Sequence, residues 1–403
     1  MPRTFFKNAT LLDPEAAHPL SAGLLVEEGR IVAQIPTGQS EPTDAATIDL
    51  EGGHLAPGFV DLHYHGSLPL CDAASYQGAL HASSASLIRS GTTAFLATTV
   101  AAPQAELTHD LTHLASLIGG SAHWPGAVPI GIHLEGPWIS EAAAGAQPKR
   151  GIRRYRADEG AEVLATGADL IRLVTFAPEL EGVAELQQAL ASENIPMAMG
   201  HSVATAEQAR AATDRGASHV THLFNAMGAM HHREPGLAGV ALSDERLTCD
   251  LICDGVHVDP AIVKLVAKAK RDRLVLITDR LEICGATGRS ASSSASSDAS
   301  FSASSTASLG GEPVYDDGTA LRLRDGRLAG SVLSLDAALR NARRFAGLSL
   351  LEAVAACTVR PALVIGAEAD RGTLRPGARA DLVLLDESGG VRDTWIGGIS
   401  PLR

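Results

Sequence analysis

Between residues 59 and 278 the chain alternates short apolar segments with Ala-rich stretches, and this alternation most limits its fold. The candidate strands are 59–62, 94–98, 130–134, 170–176, 197–200, 220–223, 248–253 and 274–278. Candidate helices intervene at 104–118, 182–192, 204–215 and 260–270. Strands buried on both faces read as nearly continuous apolar runs. Their alternation with helices points to a parallel sheet in an α/β fold. No Gly-rich dinucleotide fingerprint follows the first strand, which favours a closed (β/α)8, TIM-like barrel over an open doubly wound sheet.

Both chain ends have a different pattern. Gly23-Leu24-Leu25-Val26, Glu27-Glu28-Gly29-Arg30 and Ile31-Val32-Ala33-Gln34-Ile35 read as strand, tight turn and strand. Near the other end, Ala380-Asp381-Leu382-Val383-Leu384-Leu385 reads as a buried strand, with another over 391–396. These segments are surplus to an eight-stranded barrel. The expected organisation is therefore a small β-sandwich domain from 1–56 plus 366–403, and the barrel over 57–365. A Ser/Ala-rich tract, about 286–310, cannot bury a core and is expected as a low-complexity loop.

Composition removes several functions. The 403 residues carry 46 acidic and 33 basic side chains, a formal charge of −13. That field repels polyanions, so no nucleic-acid or membrane partner is expected. A small anionic substrate responds instead to local charge. Five cysteines without a CxxC pair make neither a disulfide framework nor a zinc ribbon. The start lacks an apolar signal core, and no apolar run reaches the ~18 residues of a membrane span. A cytoplasmic protein is expected.

The polar residues at the strand ends carry the chemistry. His63 and His65 follow the first strand in Asp61-Leu62-His63-Tyr64-His65-Gly66, and alternate positions face the same side. Glu135 ends the third strand, His201 the fifth, His222 the sixth and Asp279 the eighth, while His257 follows the seventh. In an α/β barrel these ends converge on the face that holds active sites. A single histidine there is usually a core or capping residue, as expected for His133, His219, His231 and His232. Imidazoles and carboxylates converging from five strands make a poor core, because unpaired buried charge is costly. Such a donor set suits Zn²⁺ or Fe²⁺ rather than Mg²⁺ or Ca²⁺. His201, His222 and Glu135 would form a three-ligand site. His63, His65 and Asp279 would hold a second ion, with Glu135 bridging, so one or two ions per subunit are expected. An ion there acidifies water to roughly neutral pKa. Asp279 can then take a proton and return it to the leaving group.

The chain resembles the N-acetylglucosamine-6-phosphate deacetylase family of the amidohydrolase superfamily. The stretches that carry the resemblance begin with Pro57-Gly58-Phe59-Val60-Asp61-Leu62-His63-Tyr64-His65-Gly66 and His133-Leu134-Glu135-Gly136-Pro137. They continue with Gly200-His201-Ser202, Thr221-His222-Leu223-Phe224-Asn225-Ala226-Met227 and Arg233-Glu234-Pro235-Gly236. Asp254-Gly255-Val256-His257, Thr278-Asp279 and Leu328-Ala329-Gly330-Ser331 complete them. The resemblance implies hydrolysis of N-acetyl-D-glucosamine 6-phosphate to glucosamine 6-phosphate and acetate. It implies Glu135, His201 and His222 as metal ligands, and Asp279 as catalytic acid/base. It places Ala146, Asn225, Ala226, Arg233, His257, Leu328, Ala329 and Gly330 at the substrate, with Arg233 suited to paired hydrogen bonds with phosphate. It also implies a homodimer. Alternatives within the superfamily are deacetylation of N-acetylgalactosamine 6-phosphate or of N-acyl-amino acids. A non-catalytic barrel homologue is the alternative of a different class.

The pattern departs from the family in two places. Ala143-Ala144-Gly145 lacks the basic residue that family members carry before Ala146, and Gln147 stands where a His is common. After Asp279, small residues are replaced by Arg280-Leu281-Glu282-Ile283-Cys284 and the Ser/Ala tract. Arg280 is positioned in sequence to pair with Asp279 and depress its pKa.

Overall fold

The computed structural model describes residues 3–70, 75–120, 123–282 and 307–402. The expected loop over about 286–310 lies, up to residue 306, outside the described residues.

Eight parallel strands follow one another around the barrel: Phe59–Gly66, Thr92–Thr98, Val128–Glu135, Ile171–Phe176, Met197–Met199, His219–Val220, Thr248–Ile252 and Leu274–Ile277. Phe59–Gly66, Thr92–Thr98 and Leu274–Ile277 are buried at every position, and Leu274–Ile277 is apolar throughout. The last strand also closes the ring. Beyond Ile277, the Thr278 hydroxyl donates to Asp61 Oδ2 at 2.6 Å, and the Asp279 amide donates to the His63 carbonyl at 2.9 Å. The strand Arg280–Leu281 then pairs in parallel with Tyr64 and Gly66. Eight inward-facing rows fill such a barrel with side chains and leave no pore.

The outer helices follow ordinary rules. Pro260–Ala269 begins with Asp259, whose carboxylate accepts from the Ala261 amide at 2.8 Å, and has Pro at its first position. Val263, Val266 and Ala267 bury one stripe against the sheet. Burial of each valine contributes about 1.5–3 kcal/mol. Ala206–Asp214 opens on a reciprocal capping box between Thr205 and Gln208.

The first strand is longer than its apolar run suggests and carries both His63 and His65. The Tyr64 amide donates to Thr98 Oγ1 at 3.0 Å, and Tyr64 pairs with Ala97, so the ladder continues through the polar residues.

The two chain ends share one seven-stranded sheet. Its order is Val391–Trp395, Leu382–Leu385, His54–Pro57, Thr4–Leu11, Leu20–Glu27 and Arg30–Pro36, with Ala46–Asp49 also on Thr4–Leu11. Strands three places apart in a flat sheet would lie about 14 Å apart. Phe6 and Trp395, on such strands, have ring centroids 5.2 Å apart. The sheet therefore curls over itself and encloses Phe6, Leu24, Leu55, Leu382 and Trp395 in a core separate from the barrel's.

A third, antiparallel sheet was not legible in the sequence: Ala307–Leu309, Glu312–Asp316 and Leu321–Leu323. Leu309, Val314, Leu321 and Leu323 pack with Leu281 and Ala329 over the C-terminal end of the barrel. Among the described residues, no helix is long and apolar enough to cross a membrane.

Candidate active site

Glu135 is the hub of the convergent strand ends, and its side chain is 2 % exposed. Its Oε1 lies 3.0 Å from both His201 Nε2 and His222 Nε2. Its Oε2 lies 3.3 Å from both His63 Nε2 and His65 Nε2. Asp279 Oδ1 faces the second pair, 3.5 Å from His63 Nε2 and 3.3 Å from His65 Nε2. Two three-residue groups thus form, Glu135-His201-His222 and His63-His65-Asp279, each with ligand atoms within 4.8 Å of one another.

Three of these side chains sit on strained backbone. His201, His222 and Asp279 have φ of 47°, 31° and 49°, the left-handed region that non-glycine residues avoid. Each costs about 1–3 kcal/mol and persists only where its surroundings determine it. The His201 carbonyl accepts from the Ser140 amide at 2.9 Å. The His222 amide donates to buried Asp250, whose other oxygen lies 3.0 Å from His219 Nε2. Asp279 is tied to the first strand by its own amide. Asp61 joins the same strands, accepting from the Thr278 hydroxyl at 2.6 Å and the His63 amide at 3.2 Å.

The donor set fits a divalent cation. His201 Nδ1 lies 2.9 Å from the Ala143 carbonyl, and His65 Nδ1 lies 3.1 Å from the Thr98 carbonyl. A carbonyl only accepts, so each Nδ1 carries the proton and Nε2 turns its lone pair to the centre. His201 and His222 bring Nε2 atoms within 3.1 Å, and His63 and His65 within 3.2 Å. Two ring nitrogens this close, with carboxylate oxygens of Glu135 beside them, suit a shared cation or proton. The protonation equilibria agree. Burial lowers the pKa of His65, but hydrogen bonds with Asp279 and Glu135 outweigh it and carry the value to about 10. Burial likewise opposes the charged form of His222, and Glu135 carries it to about 9. Burial raises Glu135, yet the charge of His63 and hydrogen bonds with His201 and His222 hold it well below the ordinary range. The centre favours positive charge, which a metal ion supplies in place of protons.

A cavity of about 250 Å³ opens above this centre. His65, Glu135, His201, His222 and Asp279 form part of its lining, while His63 is fully buried and outside the lining set. Ala146, Asn225, Ala226, His257, Leu328, Ala329 and Gly330 are all on its wall. His257 is held by Asp254, Nδ1 to Oδ2 at 2.6 Å. Arg233 is elsewhere: it is exposed, with Nη1 2.8 Å from His232 Nε2, and does not line this cavity.

Arg280 does not pair with Asp279 as expected. Its Nε lies 3.2 Å from Glu282 Oε1. Arg280 and Glu282 are alternate residues along the strand Arg280–Leu281 and its end, so their side chains share a side, and that pairing engages the guanidinium. Burial raises the Asp279 pKa, but the positive charge of His63 and the hydrogen bond from His65 outweigh it and hold the value at about 2. His133 and His219 are core histidines, as expected. His133 lies 3.1 Å from the Leu62 carbonyl through Nδ1 and 2.7 Å from Thr175 Oγ1 through Nε2, and burial pushes its pKa well down.

Other lining residues were not among the expected site residues, although Gln147 and Leu281 stand in the two departures from the family pattern. Gln147 donates to Glu135 Oε2 at 2.6 Å and accepts from the Ala101 amide at 2.7 Å. Val100, Gly145, Leu281, Leu309 and Arg327 complete the wall. Nothing local marks Leu309 or Arg327, because the third sheet brings them there. Asp61 and Asp250 did carry a signal, as acidic residues within apolar strands.

Comparison with known proteins places this geometry in context. The amidohydrolase family model matches residues 54–399. A protein of Escherichia coli O157:H7 named N-acetylgalactosamine-6-phosphate deacetylase is 34% identical over 384 residues, 93% of this chain and 96% of that one. A Bos taurus protein named N-acetylglucosamine-6-phosphate deacetylase is 37% identical over 362 residues, 87% of this chain and 84% of that one. Among solved structures, a mutant N-acetyl-D-glucosamine-6-phosphate deacetylase from Mycobacterium smegmatis, in complex with N-acetyl-D-glucosamine-6-phosphate, is similar with a TM-score of 0.87. It is 30% identical, and the match covers 100% of both chains.

Proposed function

Since the chain belongs to the amidohydrolase family, we propose that it hydrolyses N-acetyl-D-glucosamine 6-phosphate to D-glucosamine 6-phosphate and acetate. The carrying observation is the arrangement of Glu135, one oxygen towards His201 and His222 and the other towards His63 and His65, at the floor of a cavity. The relatives' names supply the substrate class.

In this reading Glu135, His201 and His222 hold one Zn²⁺ or Fe²⁺, and His63, His65 and Asp279 offer a place for a second. When bound, such an ion polarises the acetyl carbonyl and lowers the pKa of water. The Asp279 carboxylate takes a proton from the water that attacks the acetyl carbon. It returns that proton to the sugar nitrogen as the C–N bond breaks, which releases acetate and the free amine. His257, anchored through Nδ1 by Asp254, offers Nε2 to a sugar hydroxyl or the acetyl oxygen. Asn225, Ala226, Ala146, Leu328, Ala329 and Gly330 shape the sugar's seat. Arg233 retains a phosphate role only across the subunit boundary of the homodimer that the family resemblance implies. A cytoplasmic setting belongs to the same reading.

A second reading is supported by the Escherichia coli relative, which matches over 93% of this chain: the sugar is N-acetylgalactosamine 6-phosphate. Acetate release from both phosphosugars, with metal content measured on the same sample, tests both readings. Preference for the glucosamine epimer supports the first, and the reverse preference the second. Protein with at least one ion per chain that releases acetate from neither overturns both.

A further inference from the structure

We infer that Gln147 is a positioning residue of the centre: its side-chain amide fixes how Glu135 divides its two oxygens between the two imidazole pairs. This inference rests on the metal reading above. The orientation of the amide follows from its surroundings. The Ala101 backbone amide can only donate, and it lies 2.7 Å from Gln147 Oε1. That contact turns Nε2 the other way, where it donates to Glu135 Oε2 at 2.6 Å. Gln147 is 8 % exposed, so both bonds are made away from water, where they are electrostatically stronger.

The backbone that carries Gln147 is held as closely. Its own amide donates to the Ala144 carbonyl at 2.9 Å. Gly151, further along the segment, packs so near Ala101 and Ala102 that a Cβ there would lie 2.3 Å from their backbone. Arg153 ties the same pieces together, donating from Nη1 to the Ala102 carbonyl at 2.7 Å and to the Gly151 carbonyl at 2.8 Å. Residues 143–147 therefore reach two members of one ligand group. The Ala143 carbonyl faces His201 Nδ1 at 2.9 Å, and Gln147 holds Glu135.

The division of oxygens needs such a hold. Glu135 Oε1 lies 3.0 Å from the His201 and His222 Nε2 atoms, and Oε2 lies 3.3 Å from those of His63 and His65. The last torsion of a glutamate is broad and weakly restrained. Without a donor on Oε2, the carboxylate is free to turn both oxygens to one pair. The Gln147 amide is neutral, so it fixes the oxygen without cancelling the charge that draws a cation.

The test compares Gln147→Met, Gln147→Ala and Gln147→His with the unaltered enzyme. Each is stripped with a chelator, then titrated with Zn²⁺ by calorimetry and with Co²⁺ by visible absorption. Gln147→Met keeps the bulk without the donor and should weaken metal binding by about 10–100-fold. It should also alter the Co²⁺ spectrum, which reports the ligands around the ion. Gln147→Ala should do the same if the longer side chain packs poorly. Gln147→His should recover most of the affinity and the native spectrum, because an imidazole also accepts at one nitrogen and donates from the other. Affinities within twofold of native or native Co²⁺ spectra in both Gln147→Met and Gln147→Ala would overturn the role of Gln147 and leave the metal reading standing. So would a Gln147→His protein that binds no better than Gln147→Met. An unaltered enzyme that binds neither ion would overturn the metal reading itself.

Discussion

Replacing Asp279 with Asn tests proton transfer with little disturbance of the fold. Asp279 has φ 49°, a conformation that Asn tolerates among the best of non-glycine residues. The two side chains match in shape, so Asn can keep an oxygen towards His63 and His65, which now lie 3.5 and 3.3 Å from Oδ1. What Asn lacks is the ability to take a proton. With its pKa held at about 2, Asp279 is an anion throughout the neutral range and can accept one. General acid–base catalysis contributes about 10²–10⁴ in rate, equivalent to roughly 2.7–5.4 kcal/mol. Asp279→Asn should therefore lower kcat for acetate release by about 10²–10⁴. The assay follows acetate release at saturating substrate, with metal content and melting temperature measured on the same preparation. A variant that keeps its metal and more than a tenth of the native kcat would refute the acid/base role. A loss of metal matching the loss of rate would move Asp279 from proton transfer to ligation.

Removal of the metal should make stability depend on pH. The His65 and His222 values are raised from 6.5 to about 10 and about 9. Groups raised in the fold stabilise it fully below their unfolded pKa, and the contribution disappears as pH rises through the folded value. The melting temperature of chelator-treated protein should fall between about pH 6.5 and 10, and restored metal should flatten the curve; a flat curve without metal would contradict the charge reading. Asp250→Ala removes the acceptor of the His222 amide and the partner of His219. Each buried group left unsatisfied costs about 1–3 kcal/mol, so the variant should unfold at lower denaturant concentration and lose metal affinity through His222. Unchanged stability would show that the His222 backbone is held by other contacts.

The barrel and most of the imidazole–carboxylate cluster were legible because both depend on period and position along the chain. A strand buried on both faces must be apolar throughout, and a parallel barrel sends its strand ends to one face. A histidine, glutamate or aspartate at such an end is thereby assigned to the site before any distance is known. His63 and His65 were found in the same way, although pairing with the second strand carried the first beyond its apolar run. The third sheet was not legible. Its strands, Ala307–Leu309, Glu312–Asp316 and Leu321–Leu323, are short and gain meaning only against Leu281 and Ala329.

The sequence alone therefore determined the fold class and the chemical kind of the centre: imidazole and carboxylate, convergent and suited to a transition metal. Those properties follow from residue type and local spacing. Only the tertiary structure decided that Glu135 divides its oxygens between two groups, that Arg280 turns to Glu282, and that Arg327 rather than Arg233 lines the chain's own cavity. The physical reason is that a side chain's reach is set by the backbone that carries it and by the partners around it. Both come from segments distant in sequence: the third sheet brings Arg327 to Gly145, 182 residues away along the chain.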